Sequence, residues 1–248
     1  MTRILMILFL MISVLIAQIH SLDAIQGNVI AQFDQIKDYQ VNIKISVKMT
    51  GFRMPRKKIQ MYYKKPNKIK IEADGFAILP KTGVGGNPNE YFDMLKEIIE
   101  ITAFQLDGKP FYKITGHVNQ DSLEIPISIH EQDSLDIKMN VFIDAVAWTI
   151  NKVVVALNSE YVFTFETTYT EVDGISVPEK SEFKLGIQGM SRWTTRNPFG
   201  GPSEDRKDFE AIAKGVGFDP EKDEFAGTVV MEFSKYKVNQ GLDDSIFE

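Results

Sequence analysis

The stretch from Val41 to Thr50 alternates without a break. Val41, Ile43, Ile45, Val47 and Met49 are apolar, and Asn42, Lys44, Ser46, Lys48 and Thr50 between them are polar. Successive side chains of a strand point to opposite faces, so this segment fits a strand with one dry face and one wet face. The same period returns at Ile59, Met61 and Tyr63, and again at Ile69, Ile71 and Ala73. It recurs at Ile137, Met139, Val141 and Ile143, at Val153, Val155 and Leu157, and at Tyr161, Phe163 and Phe165. Phe183, Leu185 and Ile187, then Val229, Met231 and Phe233, complete the series. Asp-Gly pairs at Asp74-Gly75, Asp107-Gly108 and Asp173-Gly174 tolerate the positive φ of tight hairpin turns, so the strands beside them are expected to be antiparallel neighbours. The pattern predicts about ten strands with few parallel crossovers.

Helical spacing marks two further segments. Ile25, Val29, Phe33 and Ile36 form an apolar stripe with polar residues opposite, and Asp23 is placed to cap it. Asn87-Pro88-Asn89-Glu90 supplies a cap, a first-turn proline and a capping glutamate. Tyr91, Phe92, Leu95, Ile98 and Ile99 then make a stripe that predicts a helix running from Asn87 to Ile101. A weaker third helix is expected from Ser203, carrying Phe209, Ile212 and Ala213, within an irregular Gly- and Pro-rich stretch from Gly189 to Glu224. The class is α+β: a curved antiparallel sheet folded around its own helices.

Arg3, an apolar run from Ile4 to Ala17 broken only by Ser13, and a polar exit at His20, Ser21 and Asp23 are the parts of a secretory signal. The run is shorter than the ~20 residues that comfortably span a bilayer. Cleavage after Ala24, Ser21 or Ala17 fits, and residues 1–24 are assigned to the signal. Residues 25–248 show no internal repeat, low-complexity tract or linker, and read as one domain. The composition, 44% hydrophobic and 25% charged, is ordinary globular usage. It is the core, not disulfides, that must hold an exported chain with no cysteine.

The same absence excludes thiolate zinc sites, cysteine-ligated clusters, a cysteine nucleophile and a lipidated N-terminal cysteine. A net charge of −6 argues against nucleic acid as a partner. His117 and His130 each lack a second histidine at metal spacing. Asp219, Glu221 and Asp223 lack the glycine and terminal glutamate of a calcium loop. Gly83, Gly85 and Gly86 form no phosphate loop, and neither G-x-S-x-G nor H-E-x-x-H occurs. No cofactor, metal or catalytic residue is expected. Two surface features remain. Arg53, Arg56, Lys57 and Lys58 form a basic cluster, read as a solvated hairpin tip or as a contact for anionic headgroups or an acidic partner. Trp193, Phe199 and Phe218 form either an exposed lip or a loop packed on the sheet.

Three stretches carry a family resemblance. Tyr62-Tyr63-Lys64-Lys65-Pro66-Asn67-Lys68-Ile69-Lys70-Ile71-Glu72, behind a signal, a helix and a long strand, resembles the early hairpin of the LolA-like superfamily of periplasmic lipoprotein carriers and lipoprotein-sorting proteins. Val172-Asp173-Gly174-Ile175-Ser176-Val177-Pro178 is similar to a turn and strand of lipoprotein-sorting relatives. The C-terminal run Tyr236 to Phe247 is similar to the ending of many members. The resemblance implies an incomplete antiparallel barrel over a helical lid, with Asn87–Ile101 in the lid and the alternating strands as the wall. It implies a non-enzymatic periplasmic carrier of lipid or lipoprotein acyl chains, with inner- and outer-membrane transfer partners.

The inward set would then touch the chains: Ile45, Val47, Met49, Met61, Tyr63, Ile69 and Ile71 from the early strands, and Phe92, Leu95 and Ile99 from the lid. Met139, Val141, Phe163, Phe165, Phe183 and Met231 complete it from the later strands. At each position the residue either fills a core or faces a ligand cavity. Relatives of the family use an arginine to hold the lid, and neither Arg53 nor Arg56 sits in a matching motif. The alternatives are an envelope sensor of RseB type, which binds a membrane protein partner on the same scaffold, and an envelope hydrolase.

Overall fold

A computed structural model describes residues 21–49, 52–53, 56–73, 87–118, 136–157, 160–188, 218–219 and 224–248. Ser21 caps the first helix, α1 (Leu22–Asp34), its hydroxyl accepting the Ala24 N–H at 3.3 Å. The capping residue is therefore Ser21, not Asp23. Aspartate at 23 falls inside the first turn, where its charge suits the helix dipole.

The strands follow in chain order: β1 (Asp38–Met49), β2 (Phe52–Arg53), β3 (Lys57–Lys64) and β4 (Lys68–Ala73). After α2 (Asn89–Met94) come β5 (Leu95–Leu106), β6 (Lys109–Val118), β7 (Ile137–Asp144), β8 (Ile150–Leu157), β9 (Glu160–Val172) and β10 (Ile175–Gln188). β11 (Phe218–Asp219), β12 (Glu224–Val238) and a 3-10 helix (Asp244–Phe247) end the chain. The sheet order is β4-β3-β1-β12-β10-β9-β8-β7-β6-β5, every neighbouring pair antiparallel, with β2 beside β1 and β11 beside β12. Because β4 and β5 lie at opposite ends of this order, the barrel is incomplete.

Asp107-Gly108 and Asp173-Gly174 make the expected turns, with φ of 50° and 76° at the first pair and 53° and 77° at the second. Asp74-Gly75 lies outside the described residues. Period-two alternation registers across the whole sheet. Ile101 faces Ile114, which faces Val141, then Val153, Phe165, Phe183, Val229 and finally Val47. This single apolar rung crosses from β5 to β1 on the inner face. Ile25, Val29 and Ile36 of α1 and its exit join the same buried cluster as Val41, Ile43, Met61 and Met231. The outer face carries ions instead: Lys152 meets Glu166 at 2.7 Å, and Lys184 reaches Glu166 at 3.3 Å.

The helix expected from Asn87 to Ile101 is corrected. Only Asn89–Met94 is helical; Leu95 is extended at φ −79°, ψ 111°, and begins β5. Its apolar residues do recur every three positions, which imitates a helix. The register shifts between Leu95 and Glu97, and again between Ile98 and Glu100. Each such bulge inserts one residue, so Leu95, Ile98 and Ile101 face Val118, Gly116 and Ile114 on one side of the strand. The β-branched run around Ile98 and Ile99, and the strong turn at Asp107-Gly108, favour the hairpin over a longer helix. The helix expected from Ser203 lies outside the described residues.

The chain ends are tied together. The Asn239 N–H donates to the Asp38 carbonyl at 2.8 Å, and the Asn239 side chain accepts the Lys37 N–H at 2.7 Å while donating to the Gln35 carbonyl at 2.9 Å. Asp38, 4% exposed, accepts the N–H groups of Gln240 and Gly241 at 2.9 and 3.0 Å. Asn239 and Gly241 hold φ of 55° and 73°, which Asn and Gly tolerate best. The C-terminal end of α1 is thus anchored to the end of β12. Lys65 adds to this anchor by donating to the Asp34 carbonyl at 3.1 Å.

Candidate ligand-binding site

A pocket of about 100 Å³ lies between α1 and the inner face of the sheet. Helix α1 contributes Val29, Gln32 and Phe33, with Ile36 and Tyr39 just beyond it. These recur at three- and four-residue spacing, so one helical stripe both packs and lines. Pro88 and Tyr91 come from the start of α2. The sheet side is a strand in simple alternation: Phe165, Thr167 and Tyr169 of β9 all point inward. Across from them Ser176 and Pro178 of β10 line the pocket, and a bulge between Pro178 and Lys180 shifts the inward positions from even to odd beyond it. Trp148, Thr149 and Ile150 close one side from the β7–β8 connection.

That connection is a tight turn. The Asp144 side chain accepts the N–H groups of Val146 and Ala147 at 2.8 and 2.9 Å, and Trp148 sits at φ 53°, stacked on Tyr112 at 5.9 Å. Polar groups are set into otherwise apolar walls. The Thr167 and Ser181 hydroxyls meet at 3.0 Å, the Tyr169 hydroxyl donates to the Ile150 carbonyl at 2.8 Å, and the Tyr236 hydroxyl donates to the Pro178 carbonyl at 2.8 Å. Burial pushes the phenols of Tyr39, Tyr91, Tyr169 and Tyr236 well above their ordinary range, so all four remain neutral donors. No lining residue is charged.

The sixteen expected contact residues scatter. Phe165 lines the pocket. Tyr63 stands one ring behind its wall, stacked on Tyr39 at 5.2 Å. Ile45, Met61, Met139, Val141 and Met231 are 0–1% exposed and fill the core. Phe92 is buried too, and Val47, Leu95, Phe163 and Phe183 are half-buried against it, the last two rings 5.4 Å apart. Ile69 and Ile71 share a face with Tyr63 and Met61 by register, yet stand 47% and 40% exposed on the edge strand β4. Ile99, 49% exposed, stands on the opposite edge strand. The Met49 side chain lies outside the described residues.

The pocket's polar members Gln32, Thr149, Thr167 and Ser176 escaped sequence reasoning. Thr167 and Tyr169 were readable as the next odd positions after Phe163 and Phe165. Trp148 gives no sequence signal, because its place depends on a left-handed turn.

The other candidates group elsewhere. His117 Nδ1 lies 3.2 Å from Asp136, a half-exposed pair outside the pocket lining. Arg56 and Lys58 are exposed near the β3 start. The Arg53 and Phe218 side chains, His130, Asp219 as a ligand, Glu221, Asp223, Trp193, Phe199 and Gly83–Gly86 lie outside the described residues. Among the described residues no group of three or more His, Asp or Glu side chains is placed to hold a metal, and no helix is long and apolar enough to cross a membrane.

An open antiparallel sheet of this order, roofed on its inner face by α1 with a pocket beneath, is a half-barrel. No protein-family model matches the sequence, and no curated protein matches it. Solved structures do. The LolA superfamily protein NE2245 from Nitrosomonas europaea superposes with a TM-score of 0.51 at 11% identity, over 90% of this chain and 97% of that one. A putative outer membrane lipoprotein-sorting protein domain from Vibrio parahaemolyticus gives 0.52 at 7% identity, over 91% and 95%. The chain has the LolA-like fold.

Proposed function

We propose that the chain is a non-enzymatic periplasmic carrier that takes an acyl chain of a lipid or lipoprotein beneath α1 and delivers it to the outer membrane. One observation carries this reading: a pocket with mainly apolar walls lies between a helix and the inner face of an open sheet. The expected export signal and the likeness to the putative lipoprotein-sorting domain from Vibrio support it.

Each methylene buried is worth ~0.8 kcal/mol, which makes an enclosed site effective for a chain that water rejects. The pocket of about 100 Å³ is smaller than the roughly 300–1,000 Å³ of sites that enclose whole ligands. Loading therefore requires α1 to swing outward. Its C-terminal end is fixed by Asn239 and Lys65, whereas among the described residues its N-terminal half shares with α2 one side-chain hydrogen bond, Gln26–Asn89 at 3.4 Å. The C-terminal end is the natural pivot.

The test is transfer of a fluorescent acyl lipid between donor and acceptor vesicles. The carrier reading expects the rate to rise in proportion to added protein. A rate that the protein leaves unchanged overturns it.

A further inference from the structure

The polarity of the pocket, rather than its apolar part, specifies the ligand. This inference rests on the acyl-carrier reading and concerns the same pocket. Among the described residues, the hydroxyls of Tyr39 and Tyr91 make no hydrogen bond, although those of Tyr63, Tyr169 and Tyr236 do. The two rings are only 6% and 8% exposed. No buried side-chain polar atom among the described residues is without a partner, so both hydroxyls must reach open space. Both residues line the pocket. Gln32, Thr149, Thr167 and Ser176 line it as well, and all are uncharged.

Among the described residues no cation lines the site; the Lys65 ammonium, 5.6 Å from the Phe33 ring, is paired with Asp34. The Glu90 carboxylate is close enough to push the Tyr91 phenol further up, and so adds negative potential at that end. An ionised group entering here would lose its hydration with only neutral hydroxyls in exchange, which is strongly unfavourable. A carbonyl, by contrast, accepts hydrogen bonds from neutral phenols and carries no charge to desolvate.

We infer that the pocket selects acyl ligands that present an uncharged ester carbonyl to the Tyr39 and Tyr91 hydroxyls, and rejects those led by a carboxylate or a phosphate. Calorimetry on the mature chain at pH 8 compares methyl decanoate, decanoate and decyl phosphate, which carry ten-carbon chains. The expected result is binding of the ester with both anions weaker by roughly a hundredfold or more. Either anion binding within about threefold of the ester overturns the inference while leaving the carrier reading intact. Failure of all three to bind overturns the carrier reading itself, and this inference with it.

A second arm isolates the hydroxyls. Combining Tyr39→Phe with Tyr91→Phe keeps the rings, and is expected to weaken ester binding roughly five- to tenfold. Tyr62→Phe, whose hydroxyl serves Gln60 and Glu72 away from the pocket, leaves ester affinity unchanged. Equal losses in the two variants would overturn the assignment. Monodecanoylglycerol and a synthetic diacylglyceryl-cysteine peptide then separate a free glyceride from a lipoprotein anchor as the source of the ester; the tighter one names it, and binding of neither contradicts the ester preference.

Discussion

Replacing Asp38 with alanine tests the anchor that holds the roof of the pocket. Asp38 is 4% exposed and its two oxygens accept the Gln240 and Gly241 N–H groups at 2.9 and 3.0 Å. Alanine leaves both donors without their acceptor in a part-buried site. A hydrogen bond to a charged group contributes ~1.5–3 kcal/mol, and the pair shares one turn, so the combined loss is about 3 kcal/mol rather than a full sum. For a domain of this size that corresponds to a Tm lowered by roughly 6–12 °C. Urea denaturation followed by circular dichroism measures it, with the slope unchanged if only the native state is affected. Asp34→Ala is the contrast. Its ion pair with Lys65 is solvent-exposed at 59% on the carboxylate side, so its removal shifts stability by at most about 0.5 kcal/mol. Asp38→Ala stability within about 0.5 kcal/mol of the parent, or a loss no larger than that of Asp34→Ala, refutes the reasoning.

Other outcomes follow from the same structure. Gly116→Val places a Cβ 2.6 Å from the Glu97 carbonyl oxygen and 2.8 Å from a Leu95 methyl, so the bulged edge strand must shift; a loss of about 2 kcal/mol and weakened amide protection along β5 are expected. Ile99→Lys, at a position 49% exposed, changes stability by no more than about 0.5 kcal/mol, an outcome a buried lid helix would not allow. The Asp244 carboxyl is held below its usual value by hydrogen bonds from Lys64 and Lys68. Its contribution to stability is therefore present above the ordinary carboxylate range and lost as pH falls through the lowered value; Lys64→Gln should move the carboxyl's NMR titration upward. The chain has no cysteine, so Gln26→Cys with Asn89→Cys offers two unique labelling sites. A short bis-maleimide linking them should abolish acyl uptake measured by probe fluorescence, and unimpaired uptake would remove α1 as the moving part.

The walls of the site were legible, its contents less so. Alternation placed β1, β3, β7, β9 and β12 because each buries residues of one face, and the Asp-Gly pairs fixed two hairpins. The same rule could not separate wall from lining. Met139 and Phe165 are equally apolar and both point inward, yet Met139 packs in the core and Phe165 borders the pocket. That difference depends on where α1 crosses the sheet, which is a tertiary fact. Ile69 and Ile71 stand exposed for a related reason: they share the inward face, but on a strand that has no further neighbour among the described residues. β5 misled because two bulges turn a strand's period of two into a period of three, and bulges carry no residue signature in Leu95–Ile101. The tyrosine hydroxyls were missed because hydrophobic patterning counts a tyrosine as a ring.

The central claim is that an acyl chain occupies the space beneath α1. Protein purified from its native host without detergent, extracted with organic solvent and analysed by mass spectrometry, tests it most directly. The account predicts an acyl-ester species in the extract, depleted when Phe165→Asp places a carboxylate in the pocket of an otherwise folded chain. An extract free of acyl species from protein that also binds no methyl decanoate would contradict it.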